Sequence, residues 1–139
     1  MSAQTPPKKR RITSPLVYES PEPGTWSNCL VVGHQLILAG MVARAVDGSL
    51  VGGCDPYDQS VAAFENMRAF VEAAGARMDD IVKINVYLTD IRHRPAFMKA
   101  RRKFFTEDFP AAVVIGNVTL ASPELLIEID AWGFVGASG

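Results

Sequence analysis

The pattern of apolar and polar positions is clearest between Val61 and Asp90. In the first half of this stretch, apolar residues recur at helical spacing, which predicts an amphipathic helix packed against a core. Gly75 is typical of a helix C-terminus, where a left-handed conformation is needed. From Ile81 to Leu88 the apolar residues alternate with polar ones, which predicts a strand with one apolar face. A helix joined by a short turn to such a strand predicts an α/β sandwich.

Further predicted elements surround this helix and strand. Asp55 followed by Pro56 is typical of a helix N-cap and first helical position, so the long helix begins there. Pro95 predicts the start of a second helix, which ends near Glu107. Other strands are predicted at Leu16 to Glu19, Trp26 to Val32, Gln35 to Ala39, Ala112 to Leu120 and Leu125 to Val135. Two helices and about six strands predict an α+β sandwich with a mixed sheet and both helices on one face.

Length and composition indicate one globular domain. The chain has 139 residues, of which 48% are apolar and 21% charged, and these values are ordinary for a single folded unit. Residues 1–14 are predicted to be a flexible tail, because the run Lys8 to Arg11 is basic and little around it is apolar. Residues 15–139 are predicted to form the domain. We interpret the basic run as solvated charge, with a nuclear signal or a nucleic-acid arm as the alternative.

The charge balance argues against two classes of partner. A net charge of −1 gives no reason to expect binding to nucleic acid or to an anionic membrane. Since the chain has neither a long apolar run nor a signal-peptide pattern, we expect a soluble, cytoplasmic protein. Cys29 and Cys54 lack the spacing of a metal site or a disulfide framework. Without a recognisable cofactor motif, we expect no cofactor and no metal.

The predicted sheet has more apolar residues than one helix layer can cover. Because both helices are expected on one face, the other face is left open, and we expect self-association there. The alternative is that all these side chains fit into one core. The candidates are Trp26, Leu30, Val32, Ile37, Ile84, Val114, Ile127 and Ile129.

Glu128 and Asp130 form the most distinctive polar pair. They are two residues apart in an apolar strand, so their side chains point to the same side of the sheet. A buried carboxylate beside a like charge has a raised pKa and can act as a general base or acid. The alternative is an acid held by Arg or Lys at a subunit contact or on an exposed edge strand. His34 and His93 are expected to be exposed rather than catalytic.

Five motifs along the chain form a distinctive set: VVGHQLILAGM (31–41), EAAGARMDDIVKINVYLTD (72–90), FF (104–105), PAA (110–112) and IEIDAWG (127–133). Together they resemble the Rid family, the reactive intermediate deaminases also called YjgF-like or L-PSP-like proteins. The resemblance covers Gly24 to Gly133. It implies a chorismate-mutase-like α+β fold and a homotrimer, in which the sheets line a central barrel and a ligand cleft lies at each subunit interface.

The resemblance also implies roles for single residues. In the well-studied deaminases of the family, the cleft hydrolyses enamine or imine acids, such as 2-aminoacrylate, to a 2-keto acid and ammonia. Glu128 matches the glutamate that positions the attacking water. Gly40 matches a glycine whose backbone lines the cleft, and Trp26 stands where a tyrosine is common.

The chain departs from the family pattern where the substrate carboxylate would bind. The family's arginine is Ala112 here, so a bidentate ion pair is lost. Ala39 replaces the usual serine and Met41 the usual glutamine. Val114 stands at a neighbouring position that is Cys or Val in the family. These changes make the expected substrate-binding site more apolar, and 2-aminoacrylate should be a poor substrate.

Two functions stay open at this point. The first is a divergent Rid-type enzyme that acts on a larger or less acidic enamine or imine, for example of the 2-aminomuconate kind. Arg44 or Arg101 would then have to reach the distal carboxylate. The second is a binding module with the same fold and trimer, which sequesters a metabolite or stabilises a partner enzyme. RNA cleavage, suggested by an older description of the family, has little support without paired histidines or a basic charge balance.

Overall fold

The computed structural model describes residues 4–20, 22 and 24–139. Six strands in these residues form one mixed sheet: β1 (Lys9–Ile12), β2 (Cys29–Val32), β3 (Gln35–Met41), β4 (Ile81–Leu88), β5 (Ala111–Ile115) and β6 (Ile127–Phe134). Their order across the sheet is β1-β2-β3-β6-β4-β5. β4 and β5 are parallel, and the other paired strands are antiparallel. The predicted mixed six-stranded sheet is therefore confirmed.

Both predicted helices are present. Helix α1 (Pro56–Ala73) begins after Asp55, whose carboxylate accepts hydrogen bonds from the backbone N–H groups of Tyr57 and Asp58 at 2.8 and 3.1 Å. This N-cap satisfies donors that the first helical turn leaves free. Gly75 has a φ of +80°, as predicted for the residue that ends the helix. Helix α2 (Arg94–Arg101) packs against α1, which in turn packs against β3 and β6.

The core lies between α1 and one face of the sheet. Along β4 and β6, buried residues alternate with more exposed ones, as the sequence predicts. Phe64 of α1 is fully buried at the centre of an aromatic cluster. Its ring centroid lies 5.9 Å from that of Phe97, 5.1 Å from that of Phe104 and 5.8 Å from that of Phe105. These aromatic contacts join α2 and the turn after it to α1.

The first strand differs from the prediction. It is Lys9–Ile12 rather than Leu16 to Glu19, and it lies inside the stretch expected to be a flexible tail. This strand pairs with β2 at the edge of the sheet. Its first three side chains are exposed and Ile12 is buried. A charged edge strand keeps its charges in water, so the basic run is compatible with pairing. Residues 1–3 of the expected tail lie outside the described residues.

Two elements end earlier than predicted. Helix α2 stops at Arg101 instead of near Glu107, although the apolar pattern continues. The next aromatic residues, Phe104 and Phe105, reach the core from a turn, which periodicity alone does not distinguish from another helical turn. Strand β5 stops at Ile115 instead of Leu120. Here Asn117 has a φ of +59°, a left-handed conformation that interrupts an extended strand.

The sheet face away from the helices carries exposed apolar side chains. Among the apolar candidates named from the sequence, Ile84, Ile127 and Ile129 are instead buried beneath the helices, because they lie on the core side of β4 and β6. Trp26 and Ile37 are exposed, and the remaining three are half-buried. On β6, Trp132 and Phe134 are 38% and 44% exposed and alternate with core residues. An open apolar face is therefore present, with a membership that differs from the prediction.

Candidate functional site

A cavity of about 620 Å³ lies beside the end of β3 and the start of β6. Its walls come from the segment before β2, from β3 and the loop after it, from α1, and from the segment that leads into β6. Its volume is typical of sites for small molecules. The cavity brings together most of the site residues predicted from the sequence, namely Trp26, Ala39, Gly40, Met41 and Glu128.

The Glu128 side chain lies against the backbone of β3 at Gly40. The register of β3 against β6 shifts between Leu38 and Met41, which marks a β-bulge. Gly40 lies in this bulge. A Cβ atom at position 40 would be 2.6 Å from Cδ of Glu128, a distance that nonbonded carbon atoms do not adopt. The bulge and the missing side chain of Gly40 therefore leave room for the Glu128 carboxylate at the cavity wall.

Asp130 lies on the same face of β6 and is held by β4. Asn85 donates a hydrogen bond to Asp130 Oδ1 at 2.7 Å, and the Tyr87 hydroxyl donates one to Oδ2 at 3.1 Å. Burial and the nearby charge of Asp130 raise the pKa of Tyr87, which favours the protonated donor. Asp130 is thus a fixed acceptor in a small network, and Glu128 lies beside it.

The surroundings of the Glu128 carboxyl disfavour its charged form. Burial, and after it the charge of Asp130, raise the pKa of the Glu128 carboxyl above its ordinary value. Among the ion pairs formed by the described residues, none involves Glu128. A half-buried carboxylate with a raised pKa that faces a cavity can take a proton from a water molecule and return it to a bound molecule.

Aromatic and amide groups shape the mouth of the cavity. The Trp26 indole donates a hydrogen bond to Asn28 Oδ1 at 2.9 Å, and the Asn28 amide donates to the Tyr18 carbonyl at 3.2 Å and to Glu19 Oε2 at 3.1 Å. Trp26 is nevertheless 54% exposed. The ring of Tyr18 packs against Gly48 of the loop after β3. These contacts hold an aromatic wall in place while leaving its outer surface accessible.

A positively charged residue, Arg44, also lines the cavity. Its guanidinium forms an ion pair with Glu124 at 2.7 Å. The Asn66 amide of α1 donates hydrogen bonds to the carbonyls of Val42 and Arg44, both at 2.9 Å. The backbone of Arg44 is therefore fixed to the long helix, and its side chain reaches across towards the segment that leads into β6.

Two residues predicted for the site lie elsewhere in the single chain. Ala112 and Val114 belong to β5, which β4 separates from β6. They pair with Ile84 and Val86 and are not among the cavity-lining residues. Within one chain, the position of the family's arginine is therefore apart from Glu128.

The histidines and Arg101 do not line this cavity. His34 is exposed in the turn between β2 and β3, as predicted, whereas His93, which directly precedes α2, is half-buried rather than exposed. Arg101 lies over the rings of Phe97 and Phe109, at 5.6 and 5.5 Å from their centroids. Within the described ranges, no group of three or more His, Cys, Asp or Glu side chains is arranged to hold a metal ion. The same ranges contain no helix that is long and apolar enough to span a bilayer.

Several residues of the cavity wall were not predicted from the sequence. Tyr18, Asn28, Asn66 and Ser122 all line it. Tyr18 and Asn28 belong to the segment before β2, and Ser122 belongs to a segment far along the chain. They meet only through long-range packing, and no motif marks them. Asn66 faces the loop after β3 from α1, but it follows Glu65 and lies close to Arg68 in the sequence, so nothing distinguishes it from the polar face of the helix.

Comparisons with known proteins agree with this fold. A profile of the family described as Endoribonuclease L-PSP matches residues 19–135. A 2-iminobutanoate/2-iminopropanoate deaminase of Dermatophagoides farinae is 35% identical over 113 residues, which cover 81% of this chain and 86% of that protein. The crystal structure of a Pseudomonas aeruginosa protein of unknown function has a TM-score of 0.82 and 33% identity, and 94% of each chain is covered.

A crystal structure of RidA from an Antarctic Psychrobacter is similar at a TM-score of 0.81 and 25% identity, over 91% of this chain and 99% of that one. The sheet and the two helices that cover one of its faces define an α+β protein of the Rid fold. The chain belongs to the Endoribonuclease L-PSP family, the group of Rid or YjgF-like proteins.

Proposed function

We propose that the protein is a hydrolase that deaminates an enamine or imine to a keto product and ammonia, in the cavity that contains Glu128. The observation that carries this proposal is the position of the Glu128 carboxylate against Gly40. Burial and the charge of Asp130 raise the pKa of this carboxyl. The deaminase activity named for the Dermatophagoides relative supports the same chemistry.

The proposed reaction needs one water molecule and one proton shuttle. An enamine first tautomerises to the imine, whose carbon is electrophilic. Glu128 takes a proton from water while the water oxygen bonds to that carbon, and the carboxyl delivers this proton to the imine nitrogen, which gives a carbinolamine. The carboxylate then takes the proton of the carbinolamine hydroxyl as the carbonyl forms and passes it to the amino nitrogen, so that the carbon–nitrogen bond breaks and ammonia leaves. Water is consumed and the carboxylate is regenerated, so no cofactor is required.

The proposed substrate differs from the small enamine acids of the family. Ala112 stands where the resemblance places the carboxylate-binding arginine, and Ala39 and Met41 present apolar surface to the cavity. A pocket without that ion pair loses affinity for 2-aminoacrylate. The substrate is therefore a larger or less acidic enamine or imine, with 2-aminomuconate as one example of the kind.

The proposed assembly is a homotrimer built on the open sheet face. Trp132 and Phe134 leave apolar surface exposed there, which is costly in water unless another chain covers it. Contact between copies would also bring β5 of one chain towards the cavity of another. That arrangement would give Ala112 and Val114 a place in a shared site, as the family resemblance implies.

The test is replacement of Glu128 by Gln, which keeps the shape but removes the base. Ammonia release should fall at least about 100-fold, since general base catalysis contributes that much or more. Binding of the keto product should change little. The control is Glu72→Gln, which alters an exposed carboxylate on α1 and should leave release unchanged. Undiminished release by Glu128→Gln would contradict the proposed role.

A second candidate is a binding module, and the Ala112 substitution is the observation that favours it. A cavity without the family's arginine could hold a metabolite without turning it over. This function predicts stable binding of keto or imino compounds with no ammonia release, in wild type and in Glu128→Gln alike. The two candidates therefore separate in the same experiment.

A further inference from the structure

The cavity contains two charged side chains, of which Arg44 forms an ion pair and Glu128, among the described residues, does not. Of the described residues that line it, Arg44 is the only Lys or Arg and Glu128 the only acid. Glu128 provides the reacting group under the proposed function and cannot also attract an anion. Any anionic part of a substrate must therefore be recognised by Arg44, by neutral donors, or by another chain.

Arg44 is built into the cavity wall and is not a free surface residue. Its side chain is 18% exposed. Its carbonyl accepts a hydrogen bond from Asn66, and its backbone forms an isolated bridge with Leu50. A guanidinium carried by a fixed backbone loses little further freedom when a ligand binds, which favours recognition of a planar carboxylate.

The present partner of Arg44 is suited to exchange. The Glu124 side chain is 42% exposed, so water can solvate its carboxylate if the ion pair opens. Because solvent reaches the Glu124 side of this ion pair, it is partly screened and adds less stability than a buried pair. The Glu124 carbonyl is bound by the Gln59 amide at 2.9 Å, which holds the backbone in place when the side chain moves. The cost of releasing Arg44 to a ligand is therefore small.

The alternative cation from the sequence, Arg101, has no comparable position. It packs over two aromatic rings and is not among the cavity-lining residues. In the described residues its Nε atom is buried without a hydrogen-bond partner. In the structure this guanidinium lies outside the cavity, which leaves Arg44 as the cation of the cavity lining for a bound anion.

We propose that Arg44 is the carboxylate-binding residue of this cavity, and that it exchanges Glu124 for a carboxylate of the substrate. The inference rests on the proposed function for the identity of the site, and it sets the substrate class: an enamine or imine that carries a carboxylate able to reach Arg44. Recognition is thereby moved from the β5 position occupied by Ala112 to the loop after β3.

The test measures binding without turnover. The probes are 2-oxobutanoate and 2-oxoglutarate, a mono- and a dicarboxylate, with methyl 2-oxobutanoate as the neutral match. Their dissociation constants are measured by calorimetry on the full chain for wild type, Arg44→Gln, Arg44→Lys and Glu124→Gln. Thermal melting of each variant shows that it is folded.

Arg44→Gln should weaken binding of at least one carboxylate by about tenfold or more, as expected for loss of a charge-assisted hydrogen bond. The ester should change by less than about twofold on the same scale. Arg44→Lys should restore part of the affinity, because it retains the charge. Glu124→Gln should tighten carboxylate binding, because it removes the competing carboxylate, whereas a merely structural ion pair predicts no gain.

Equal losses for the ester and the acids in Arg44→Gln would overturn the proposal, as would weaker carboxylate binding in Glu124→Gln or no carboxylate binding by wild type. The outcome is independent of ammonia release. A protein that binds carboxylates through Arg44 but releases no ammonia would refute the proposed hydrolase and keep this inference. A protein that releases ammonia but binds carboxylates equally well without Arg44 would refute this inference and keep the proposed hydrolase.

Discussion

At the scale of single residues, Gly40 is required for space rather than for backbone conformation. Its φ angle is not in the left-handed region, unlike those of Gly48 and Gly75. What a larger residue would disturb is the Glu128 carboxylate, which occupies the volume of the missing side chain. Position 40 thus controls the placement of the proposed base by steric exclusion.

Gly40→Ala should therefore impair activity more than stability. The new methyl group must displace the carboxylate, and a displacement of about 1 Å in a reacting group can cost up to about 100-fold in rate. We expect ammonia release to fall at least about tenfold on that basis. Val46→Ala, which changes an exposed loop residue outside the cavity lining, is the control and should retain activity. A fully active Gly40→Ala protein would mean that Glu128 does not need the space that the missing side chain of Gly40 leaves.

The raised pKa of Glu128 predicts a pH dependence of kcat/KM. Because the base must be deprotonated, activity rises with pH through the pKa of the free enzyme, and burial and Asp130 place that limb above the value of an exposed glutamate. The titratable groups that face Glu128 are Asp130 and Tyr87. Asp130→Asn removes one negative charge, so the limb should move to lower pH. An unchanged or upward-shifted limb in Asp130→Asn would contradict this assignment.

At the scale of elements, Gln59 joins α1 to the segment that carries the site. This side chain is fully buried. Its amide donates to the carbonyls of Gly53 and Glu124 at 2.7 and 2.9 Å, and its oxygen accepts from the N–H of Leu126 at 2.9 Å. One residue therefore satisfies three backbone groups and fixes the approach to β6.

Gln59→Leu should destabilise the fold by about 2–4 kcal/mol, because three part-buried hydrogen bonds to the backbone are lost, each worth about 0.5–1.5 kcal/mol. The measurement is chemical denaturation, with Glu72→Ala on the exposed side of α1 as a control that should change stability by less than about 0.5 kcal/mol. A Gln59→Leu variant as stable as wild type would show that the segment leading into β6 is held by other contacts.

The long helix and β4 were predictable because their signals are local. The capping Asp55, the periodic apolar positions and the closing Gly75 all agree with the geometry that they specify. The elements at the edges were less predictable. The first strand has no alternating apolar pattern, because its first three residues are basic and only Ile12 is buried. Its pairing with β2 is decided by tertiary contacts.

The site was predictable only in part. Glu128 and Gly40 stand out through an alternating strand pattern and a family motif, and the cavity contains both. Arg44 and Tyr18 come from loops whose positions depend on the fold of the whole chain. The ion pair of Arg44 spans 80 residues of sequence, and no local pattern marks a contact at that separation.

At the scale of the whole molecule, the open sheet face predicts self-association. We expect static light scattering of the wild type at micromolar concentration to give the mass of a trimer of the 15.1 kDa chain. Phe134→Asp should raise the monomer fraction, because a charge on the apolar face must be desolvated on assembly. Val46→Asp, which charges an exposed loop residue away from the sheet, is the control. A monomeric wild type would contradict both the assembly and a site shared between chains.

The most direct test of the central claim is ammonia release by the purified wild-type protein from freshly generated imines and enamines, ranging from 2-aminoacrylate to 2-aminomuconate. We predict release from the larger carboxylate-bearing members and little from 2-aminoacrylate, because Ala112 stands where the arginine that anchors the small acid would be, while the cavity with Glu128 remains. Absence of release from every member, in a sample shown to be assembled, would contradict the deaminase and favour the binding module.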